Sequence, residues 1–539
     1  MKLLRVHVVA AETCGGLLDN LNVHLRSPLS DSTGFDPLCL VGPNGSGKSQ
    51  FLQVLAEIFQ SIYHACTPSE ERDEGNPDIQ FEIEYLIRGK NDDAMQHVWL
   101  SRKATGKKRP ILEFRVKADE YWVELEPGSP LMADLLPSKV VGYTSGNNET
   151  LSLPFLISRS GYAEAVRDAA FSDTQEQHVI PDTRLMLIDY GTHLEVLVAN
   201  LVMGEDAQRH ALLQDAGLKD LHSFRCIVQL AHGAVTKVAH ANRVRSDRKG
   251  VQLTHELELY LDQLCRCATC YSYDEATETY IFDYWINEQT KLAFRTFWDS
   301  ALGLYSSLHK LAMLNDLAIP KPTRDRFKRD TKTRRFASRL PEPQDEDKVF
   351  RFERVDFVSS KSNEVVDYVS LSDGEHQQAQ IMGTMCMLSF PNVLFLLDEP
   401  ESHFNPLWRV KFISRVLALP TTHGDRKSDS EASEQECLLT THSPFVPSDM
   451  RRIRVFIFDK KQGSLEVRSP DIETYGTTFD RILEECFGVR PPISKVPLEE
   501  IDKLMNSTDI AKIKAGIDRL GYSVEKVFLI DHLQQLTDK

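Results

Sequence analysis

The sequence predicts an α/β protein built on a mixed β-sheet, with an antiparallel β subdomain and a largely helical inserted lobe. Residues 37–59, PLCLVGPNGSGKSQFLQVLAEIF, read as a strand, a glycine-rich turn and a helix with apolar residues at helical spacing. Four alternating runs between residues 79 and 126 predict an antiparallel meander. Two apolar runs, in NVLFLLDE (392–399) and CLLTTHSPF (437–445), predict buried strands.

Length and composition bound the number of packed units and the class of protein. The chain has 539 residues, which is too many for one core, so we expect two to four packed units. The hydrophobic share of 41% and the charged share of 26% are typical of soluble globular proteins. The formal net charge of −16 disfavours nonspecific nucleic-acid binding over the whole surface, although a local basic stretch can still bind it.

The N-terminal stretch and the cysteines predict a cytoplasmic protein that does not enter a membrane. MKLLRVHVVA predicts a first β-strand, because His7 interrupts the apolar run that a signal peptide needs. No segment reaches the ~18 apolar residues that span a bilayer. Ten scattered cysteines favour a reducing compartment. Cys265, Cys267 and Cys270 lack the second ligand pair that a structural zinc site needs, so incidental thiols are favoured there.

Changes of pattern along the chain predict four segments. Residues 184–315 look mostly helical with a hairpin at CYSYDEATETYIFDYWI, and the basic run KPTRDRFKRDTKTRRFASR (321–339) follows them. GDRKSDSEASEQE (424–436) is poor in apolar residues and predicts a mobile surface loop. The predicted segments are a first α/β lobe with the glycine-rich turn and the β subdomain (1–150), a mostly helical insertion ending in the basic linker (151–345), a second α/β lobe (346–460) and a C-terminal helical docking segment (461–539).

The glycine-rich turn carries the first recognisable chemistry. Residues 42–49, GPNGSGKS, match G-x-x-x-x-G-K-[ST] between a strand and a helix, the context that this phosphate-binding motif needs. Backbone N–H groups at a helix N-terminus attract phosphate oxygens, and the lysine and the final hydroxyl reach the phosphates and Mg²⁺. The residues expected at this nucleotide site are Asn44, Gly45, Ser46, Gly47, Lys48 and Ser49.

Two acids end the apolar run NVLFLLDE. At the carboxyl end of a parallel strand, Asp398 would face the phosphate site and join Ser49 in holding Mg²⁺. Glu399 is placed to polarise an attacking water. The next strand ends in TTH, and His442 there is either a structural residue or a group that hydrogen-bonds the terminal phosphate of the nucleotide.

The stretch LSDGEHQ (371–377) admits two interpretations. Ser372 is a good N-cap residue, so the stretch can simply begin a helix. It can also be half of an active site that acts on the nucleotide of another molecule. The motifs elsewhere in the chain favour the second interpretation.

Taken in order, the phosphate loop, LSDGE, the two-acid strand followed by PESHFNP, and TTH resemble the motifs of ABC-type ATPases of the SMC/RecF/OLD class. The resemblance implies ATP and Mg²⁺ as ligands and a head-to-tail dimer or higher oligomer with two nucleotides sandwiched at its interface. It implies that Ser372, Gly374 and Glu375 contact the nucleotide of the opposing subunit. It further implies that Glu401 to Asn405 form the D-loop at the dimer interface and that His442 is the switch histidine.

The sequence departs from that class in two places. Lys48 and Asp398 lie 350 positions apart, so a large insertion separates them, and no coiled-coil heptads fill it. The glutamine that the class carries at the end of a strand of the first lobe is not identifiable. VVGYTSGNNE (140–149) stands roughly there, so Asn147, Asn148 or Glu149 either replaces that glutamine or belongs to a plain turn.

Shorter strings resemble the defence-associated, restriction-system-associated ATPases of the Septu/retron PtuA type. They are GYTSGNNE, LSDGEHQ, THSPFVPSD, ETYGTTFDRIL and LGYSVEKVFLIDHL. This resemblance implies a separate HNH nuclease (PtuB-like) as partner and, in retron versions, a reverse transcriptase with its RNA–DNA hybrid.

The chain itself shows no nuclease motif, because no D-x-D follows His442 and PDIQFEIEY lacks the lysine of a PD-(D/E)xK site. Two functions therefore remain open. One is an ATP-driven dimeric switch that controls a nuclease in anti-phage defence. The other is a RecF/SMC-like DNA-binding ATPase in repair or replication. The basic run at 321–339 bears on both as a nucleic-acid contact, unless it is a solvated linker.

Overall fold

The computed structural model describes residues 1–28, 34–90, 94–106, 108–126, 128–145, 149–170, 179–188, 192–231, 248–332, 343–421, 423–461 and 464–537.

Twenty strands lie in the described residues. In chain order they are β1 (Lys2–Ala10), β2 (Leu21–His24), β3 (Leu38–Val41), β4 (Gln80–Arg88), β5 (Met95–Lys103), β6 (Ile111–Ala118), β7 (Tyr121–Glu124), β8 (Lys139–Thr144), β9 (Leu185–Ile188), β10 (Leu218–Gln229), β11 (Cys270–Asp274), β12 (Thr279–Trp285), β13 (Phe350–Ser359), β14 (Val365–Asp367), β15 (Val393–Asp398), β16 (Pro420–Thr421), β17 (Gly424–Asp425), β18 (Glu436–Thr440), β19 (Val455–Lys461) and β20 (Ser464–Arg468).

The same part of the chain contains seventeen α-helices. They are α1 (Lys48–Cys66), α2 (Pro130–Asp134), α3 (Glu149–Ala170), α4 (His193–Met203), α5 (Asp206–Leu213), α6 (His255–Cys267), α7 (Glu288–Phe297), α8 (Ala301–Met313), α9 (Lys321–Lys332), α10 (Asp373–Met387), α11 (Pro406–Leu417), α12 (Ser430–Ser433), α13 (Phe445–Ser448), α14 (Phe479–Phe487), α15 (Lys495–Met505), α16 (Ile510–Arg519) and α17 (Val524–Thr537).

A seven-stranded mixed sheet forms the centre of the fold, in the order β20-β19-β3-β18-β15-β8-β9. Its strands are parallel except for β20, which pairs antiparallel with β19 at one edge. In β15, Leu394 and Leu396 are buried in the core on one face of the sheet, and Phe395 and Leu397 are buried in the core on the other. A strand covered on both faces must be apolar throughout, which explains the continuous run VLFLLD.

The predicted antiparallel β subdomain is present as a six-stranded sheet, β2-β1-β4-β5-β6-β7. Alternate residues of β4 are buried, as the period of two requires for a sheet with one covered face. Helix α1 lies between this sheet and the central one. The ring centroids of Phe59 and Tyr85 of β4 are 6.3 Å apart, and those of Phe51 and Phe458 of β19 are 5.5 Å apart. The predicted fold class is confirmed by this arrangement together with the helices α4–α9.

The inserted lobe contains a sheet that the sequence analysis did not predict. The predicted hairpin is present as β11 and β12, but it belongs to a five-stranded antiparallel sheet, β11-β12-β10-β13-β14. Phe224 of β10 stacks on Tyr284 of β12 with ring centroids 4.4 Å apart, and both are buried in the same core as the helices of the lobe. Strand β10 pairs with strands far away in sequence, and such pairings leave little local signal.

The prediction of a mobile surface loop at 424–436 is wrong. Arg426 is fully buried, and its guanidinium lies 5.0 Å from the ring centroid of Phe35 and donates to the backbone oxygen of Met385. The segment then forms α12 and enters β18. Its polar side chains are structural partners of one another, so low apolar content did not indicate mobility here.

Helices α15, α16 and α17 pack on one another around a small apolar cluster of their own, made by Leu504, Ile513 and Leu529. The helical character expected of this C-terminal segment is therefore confirmed. Among the described residues, no helix combines the length and the apolar character that crossing a membrane requires.

Candidate functional site

Three neighbouring parallel strands of the central sheet, β3, β18 and β15, bring the sequence motifs to one edge. Ligands of open α/β sheets bind at the carboxyl ends of the strands. β3 runs into the loop 42–47, β15 ends at Asp398, and β18 ends at Thr440 just before His442. The candidate residues from three distant stretches of sequence therefore meet at this edge.

Glycines shape the loop between β3 and α1. Gly42 has φ 138°, and a Cβ at this position would lie 2.3 Å from the backbone oxygen of Phe458. Gly47, with φ 93°, precedes the first helical residue, Lys48. Both positions need glycine for backbone reasons, and together they direct the loop N–H groups and the N-terminus of α1 at the same space.

The side chain of Lys48 closes this loop. Its Nζ donates to the backbone oxygens of Gly42 at 2.9 Å and Pro43 at 3.1 Å. Burial lowers the pKa of Lys48 to about 8, against the opposing effect of the nearby carboxylates Glu399 and Asp398. Among the described residues, both hydrogen-bond acceptors of this buried ammonium are neutral carbonyls, so an anionic ligand would compensate its charge better.

Ser49, Asp398 and Thr440 form a hydrogen-bonded group beside the loop. The hydroxyls of Ser49 and Thr440 each donate to Oδ1 of Asp398, both at 2.7 Å. Parallel pairing of β15 and β18 places Thr440 directly opposite Asp398. A hydroxyl and a carboxylate beside a phosphate loop are the oxygen donors that Mg²⁺ prefers.

Ser46 provides a test of whether a phosphate ligand fits. Its hydroxyl is buried in the loop, and within the described part of the chain it has no hydrogen-bond partner. Buried hydroxyls are nearly always paired, so this one fits a donor that is satisfied only when an anion fills the loop. The residues present therefore fit a nucleotide phosphate with Mg²⁺.

Glu399 is held in a strained conformation next to this group. Its φ is 48°, which is rare for a residue with a Cβ and is found mainly at functional sites. The strain is supported by its own N–H, which donates to Oγ1 of Thr440 at 3.0 Å. The carboxylate projects from the end of β15, and among the described residues it makes no hydrogen bond to the loop 42–47.

His442 meets that carboxylate. Its Nε2 lies 3.4 Å from Oε1 of Glu399. Burial raises the pKa of Glu399, and the neighbouring Asp398 carboxylate raises it further. Burial lowers the pKa of His442, and the charge of Lys48 lowers it further. Near neutral pH the imidazole is therefore uncharged, and its Nε2–H can orient the Glu399 carboxylate without neutralising it as an ion pair would.

Glu401 is a second unusual carboxyl group, buried two residues further on. It accepts a hydrogen bond from Oγ1 of Thr441, and among the described residues its Oε2 has no partner. Burial raises the pKa of Glu401 to about 7. Glu401 ties the start of the predicted D-loop to the residue just before His442.

The stretch LSDGEHQ does form a helix cap. The side chain of Ser372 accepts a hydrogen bond from the N–H of Glu375, and the Glu375 carboxylate accepts one from the N–H of Ser372 at 2.7 Å, which is a capping box. Ser372 is exposed, and the hydrogen bonds between Ser372 and Glu375 stay within the cap. The cap and a contact to another molecule are therefore compatible.

Gln377 joins the helix behind this cap to the segment that follows β15. The Gln377 amide donates to Oγ of Ser402 at 3.1 Å and to the backbone oxygen of Glu399 at 3.4 Å, and it accepts from the N–H of His403 at 3.0 Å. A Cβ on Gly374 would lie 2.9 Å from the backbone oxygen of His403, so α10 and the segment 401–405 are in close contact.

The structure thus brings Lys48, Ser49, Asp398, Glu399 and His442 together. Ser372, Gly374 and Glu375 lie apart from them at the start of α10, where Ser372 is exposed and Gly374 is buried. Sequence reasoning missed Thr440 and Gln377. Thr440 is identifiable only through the strand register, and Gln377 only through the approach of α10 to residues 399–403. Asn147, Asn148 and the side chain of Glu149, the candidates for the missing glutamine, lie outside the described residues.

The basic run at 321–339 is described only as far as α9. Arg324 is buried, its Nε donates to the backbone oxygen of Ile319, and its guanidinium lies 3.6 Å from Glu164. Arg326 and Arg329 are exposed. Arg324 is therefore a structural residue, and in the described part of the run the exposed cations of α9 are the candidates for nucleic-acid contact.

No family model matches the chain, and no curated protein matches it. Two solved structures are similar to it over most of its length. The SMC head domain from Thermotoga maritima is 9% identical over 88% of this chain and 100% of that chain, with a TM-score of 0.30. The recombination mediator protein RecF-ATPrS in the RecFOR pathway is 11% identical over 86% of this chain and 97% of that chain, with a TM-score of 0.30.

Proposed function

We propose that this chain is an ATPase that binds ATP with Mg²⁺ at the loop 42–47 and hydrolyses it to ADP and phosphate. The observation that carries the proposal is the hydrogen-bonded series at the carboxyl edge of the sheet. It runs from Ser49 through Asp398 and Thr440 to Glu399, which meets His442. This series supports the assignment of Ser49 and Asp398 as a metal-binding pair, Glu399 as a general base and His442 as the residue that orients it.

Each residue has a distinct role in this proposal. The loop N–H groups and Lys48 bind the phosphates, and Ser49 and Asp398 are the residues that would hold Mg²⁺. Bound there, the metal supplies charge neutralisation at the phosphate oxygens. The single hydroxyl of Thr440 holds both residues in place, because it donates to the Asp398 carboxylate and accepts from the Glu399 N–H.

Glu399 acts as the general base that orients and deprotonates the attacking water. Burial raises the pKa of this carboxyl group, which makes its carboxylate a better proton acceptor than an exposed one. His442 holds the carboxylate in place through Nε2 and faces the terminal phosphate.

The complete site includes a second copy of the chain. Ser372, Gly374 and Glu375 of one copy contact the nucleotide held by Lys48 of the other, so two copies pair head to tail around two nucleotides. The exposed cap of α10 supports this arrangement, because a helix N-terminus with a free surface is a ready anion contact. The resemblance of the motif order to ABC-type ATPases supports it as well.

The experiment that tests the ATPase proposal is the Glu399→Gln substitution. It removes the base but keeps the size of the side chain, so ATP binding should persist while turnover falls about 10²-fold or more. Glu113→Gln, at a half-buried position on β6, is the matched control and should keep full turnover. Unchanged hydrolysis in the Glu399→Gln chain would refute the assignment.

For the biological role, we propose that nucleotide-driven pairing controls a separate nuclease in anti-phage defence. The short strings shared with the Septu/retron PtuA type support this role, and an HNH nuclease, with or without a reverse transcriptase and its RNA–DNA hybrid, is the expected partner. Purification of the chain from its native operon tests the proposal. Recovery of an HNH nuclease in stoichiometric amount is expected, and an operon without any nuclease would contradict it.

A RecF/SMC-like DNA-binding ATPase is the second candidate. The exposed cations Arg326 and Arg329 of α9 favour it, because clustered positive side chains contact phosphate backbones in spite of a negative overall charge. Binding to gapped DNA, together with the absence of a nuclease partner, would favour this function over the first.

A further inference from the structure

The three C-terminal helices, α15 to α17, carry several large apolar side chains that are exposed to solvent. On α17, Val524, Val527 and Phe528 are 65%, 61% and 61% exposed. Their spacing of three and four residues places them along one stripe of the helix. Isolated exposed apolar residues are ordinary, but an apolar stripe of this kind typically marks a surface that binds something.

This stripe borders a groove between α15 and α17. Leu498, Ile501 and Met505 of α15 and Phe528 of α17 provide its apolar floor, and the groove has a volume of about 310 Å³. Leu498, Ile501 and Met505 recur at helical spacing, so one face of α15 runs along the groove.

The rim of the groove is acidic. Asp502 of α15 and Glu525 and Asp531 of α17 line it, and neither Lys nor Arg does. The groove therefore selects for a ligand that is apolar along one side and positively charged beside it. The three carboxylates disfavour nucleic acid because they repel its phosphates. The apolar floor of the groove disfavours a small polar ligand.

We propose that this groove binds an amphipathic helix of a partner protein, with its apolar side chains on Phe528 and Met505 and its Lys or Arg side chains facing Asp502, Glu525 and Asp531. Helices recognise grooves in this way through apolar anchors at i, i+3, i+4 and i+7. Phe528 belongs both to the exposed stripe and to the lining of the groove.

A second copy of the same unit is a poor occupant. Two-fold pairing of the grooves would bring Asp502, Glu525 and Asp531 of one copy towards the same carboxylates of the other. The groove lies outside the nucleotide site, and the proposal holds whether or not the chain hydrolyses ATP.

The test uses two fluorescent 18-residue peptides with the full chain. One has Leu at helical spacing and Lys at the flanking positions, and the other has the same Leu pattern with Glu in place of Lys. Fluorescence anisotropy should show binding of the Lys peptide and at least tenfold weaker binding of the Glu peptide. Phe528→Asp should weaken the Lys peptide at least tenfold, whereas Leu292→Asp, at a side chain 65% exposed on α7, should not.

Charge reversal provides a second, independent variant. The triple substitution Asp502→Lys, Glu525→Lys and Asp531→Lys keeps the apolar floor and should reverse the preference, so that the Glu peptide binds better. Circular dichroism of each variant checks that the helices are retained. Equal binding of both peptides, or full binding of the Lys peptide to the Phe528→Asp chain, would overturn the proposal. Self-association that Phe528→Asp abolishes would also overturn it, because the occupant would then be a second copy.

Discussion

At the residue scale, the site depends on side chains whose surroundings change their chemistry. Glu399 is held at φ 48° by one hydrogen bond to Thr440, and Lys48 has a pKa of about 8 because it is buried. Both features are costly in a site without ligand. The cost of burying Lys48 falls when anionic phosphates fill the loop, because the ammonium then gains a charged partner.

The lowered pKa of Lys48 predicts a pH dependence of ATP affinity. The ordinary lysine pKa is 10.5, and in this site the ammonium is lost as the pH rises through about 8. Only the charged form binds phosphate well, so the apparent Kd for ATP should increase about tenfold between pH 7 and pH 9. Titration with a fluorescent ATP analogue at constant Mg²⁺ measures this change.

Lys48→Arg is the matched control, because a guanidinium stays charged across this range. Its affinity should be lower overall but nearly independent of pH. An equal pH dependence in both chains would show that another group is responsible.

Motif spacing was sufficient to predict Lys48, Ser49, Asp398, Glu399 and His442 as candidates, because each stands at a fixed offset in a recognisable stretch. Thr440 was not identifiable in this way. A threonine at the end of a buried strand is ordinary in sequence, and its contact with Asp398 arises only because β18 lies between β3 and β15. Strand order and register are set by long-range packing.

At the element scale, α10 connects two places in the molecule. Its N-terminus presents Ser372 to solvent, and one turn later Gln377 binds residues 399–403 through three hydrogen bonds. A shift of the cap that follows contact with another molecule would therefore reach the Glu399 backbone.

Gln377→Leu should remove the hydrogen bonds that join α10 to residues 399–403. It leaves the His403 N–H without its acceptor and frees the Glu399 carbonyl, so we expect kcat to fall about tenfold with little change in ATP affinity. Steady-state turnover and equilibrium ATP binding measure the two quantities separately.

Gln378→Leu is a close control, since Gln378 is also buried in α10 but its amide donates to Asp215 instead. This variant should lose similar thermal stability while kcat is retained. Equal losses of kcat in both variants would mean that Gln377 contributes only to folding.

The exposed cations of α9 give a prediction for nucleic-acid binding. Arg326→Glu with Arg329→Glu should weaken any binding to DNA and reduce the slope of log K against log salt by about 2. ATP hydrolysis without nucleic acid should be unaffected.

The control reverses the same charge elsewhere, by Arg266→Glu with Arg295→Glu on α6 and α7. If both pairs change the salt slope equally, the effect comes from net charge and α9 is a linker. Arg324 is left intact in both chains because it is buried.

Composition was misleading for the segment 424–436. The absence of apolar residues predicted a mobile loop, yet Arg426 is buried beside Phe35 and Phe395. A guanidinium can be buried when aromatic faces and carbonyl oxygens surround it, and those partners come from stretches far away in sequence. A local sequence pattern shows which residue types are present, but it does not show which distant residues will surround them in the fold.

At the scale of the whole molecule, the central sheet separates two cores and places the nucleotide motifs at one edge, while the cap of α10 is exposed. In the proposed dimer each chain completes the site of the other. Mixing Lys48→Ala chains with Ser372→Arg chains should therefore restore some ATPase activity that neither chain has alone, since one of the two sites in a mixed dimer is intact.

The most direct test of this composite site is ATP-dependent dimerisation, measured by sedimentation in a Glu399→Gln background that holds ATP without turnover. The background chain should pair when ATP is added. Adding Ser372→Arg should leave ATP bound to a monomer, because an arginine then stands where a hydroxyl meets the partner's nucleotide. Ser300→Arg is the control, since Ser300 is an exposed N-cap of α8 with a comparable cap bond, and that chain should still pair. If the Ser372→Arg chain dimerises with ATP as well as the Ser300→Arg chain does, Ser372 is only a helix cap and the composite site is refuted.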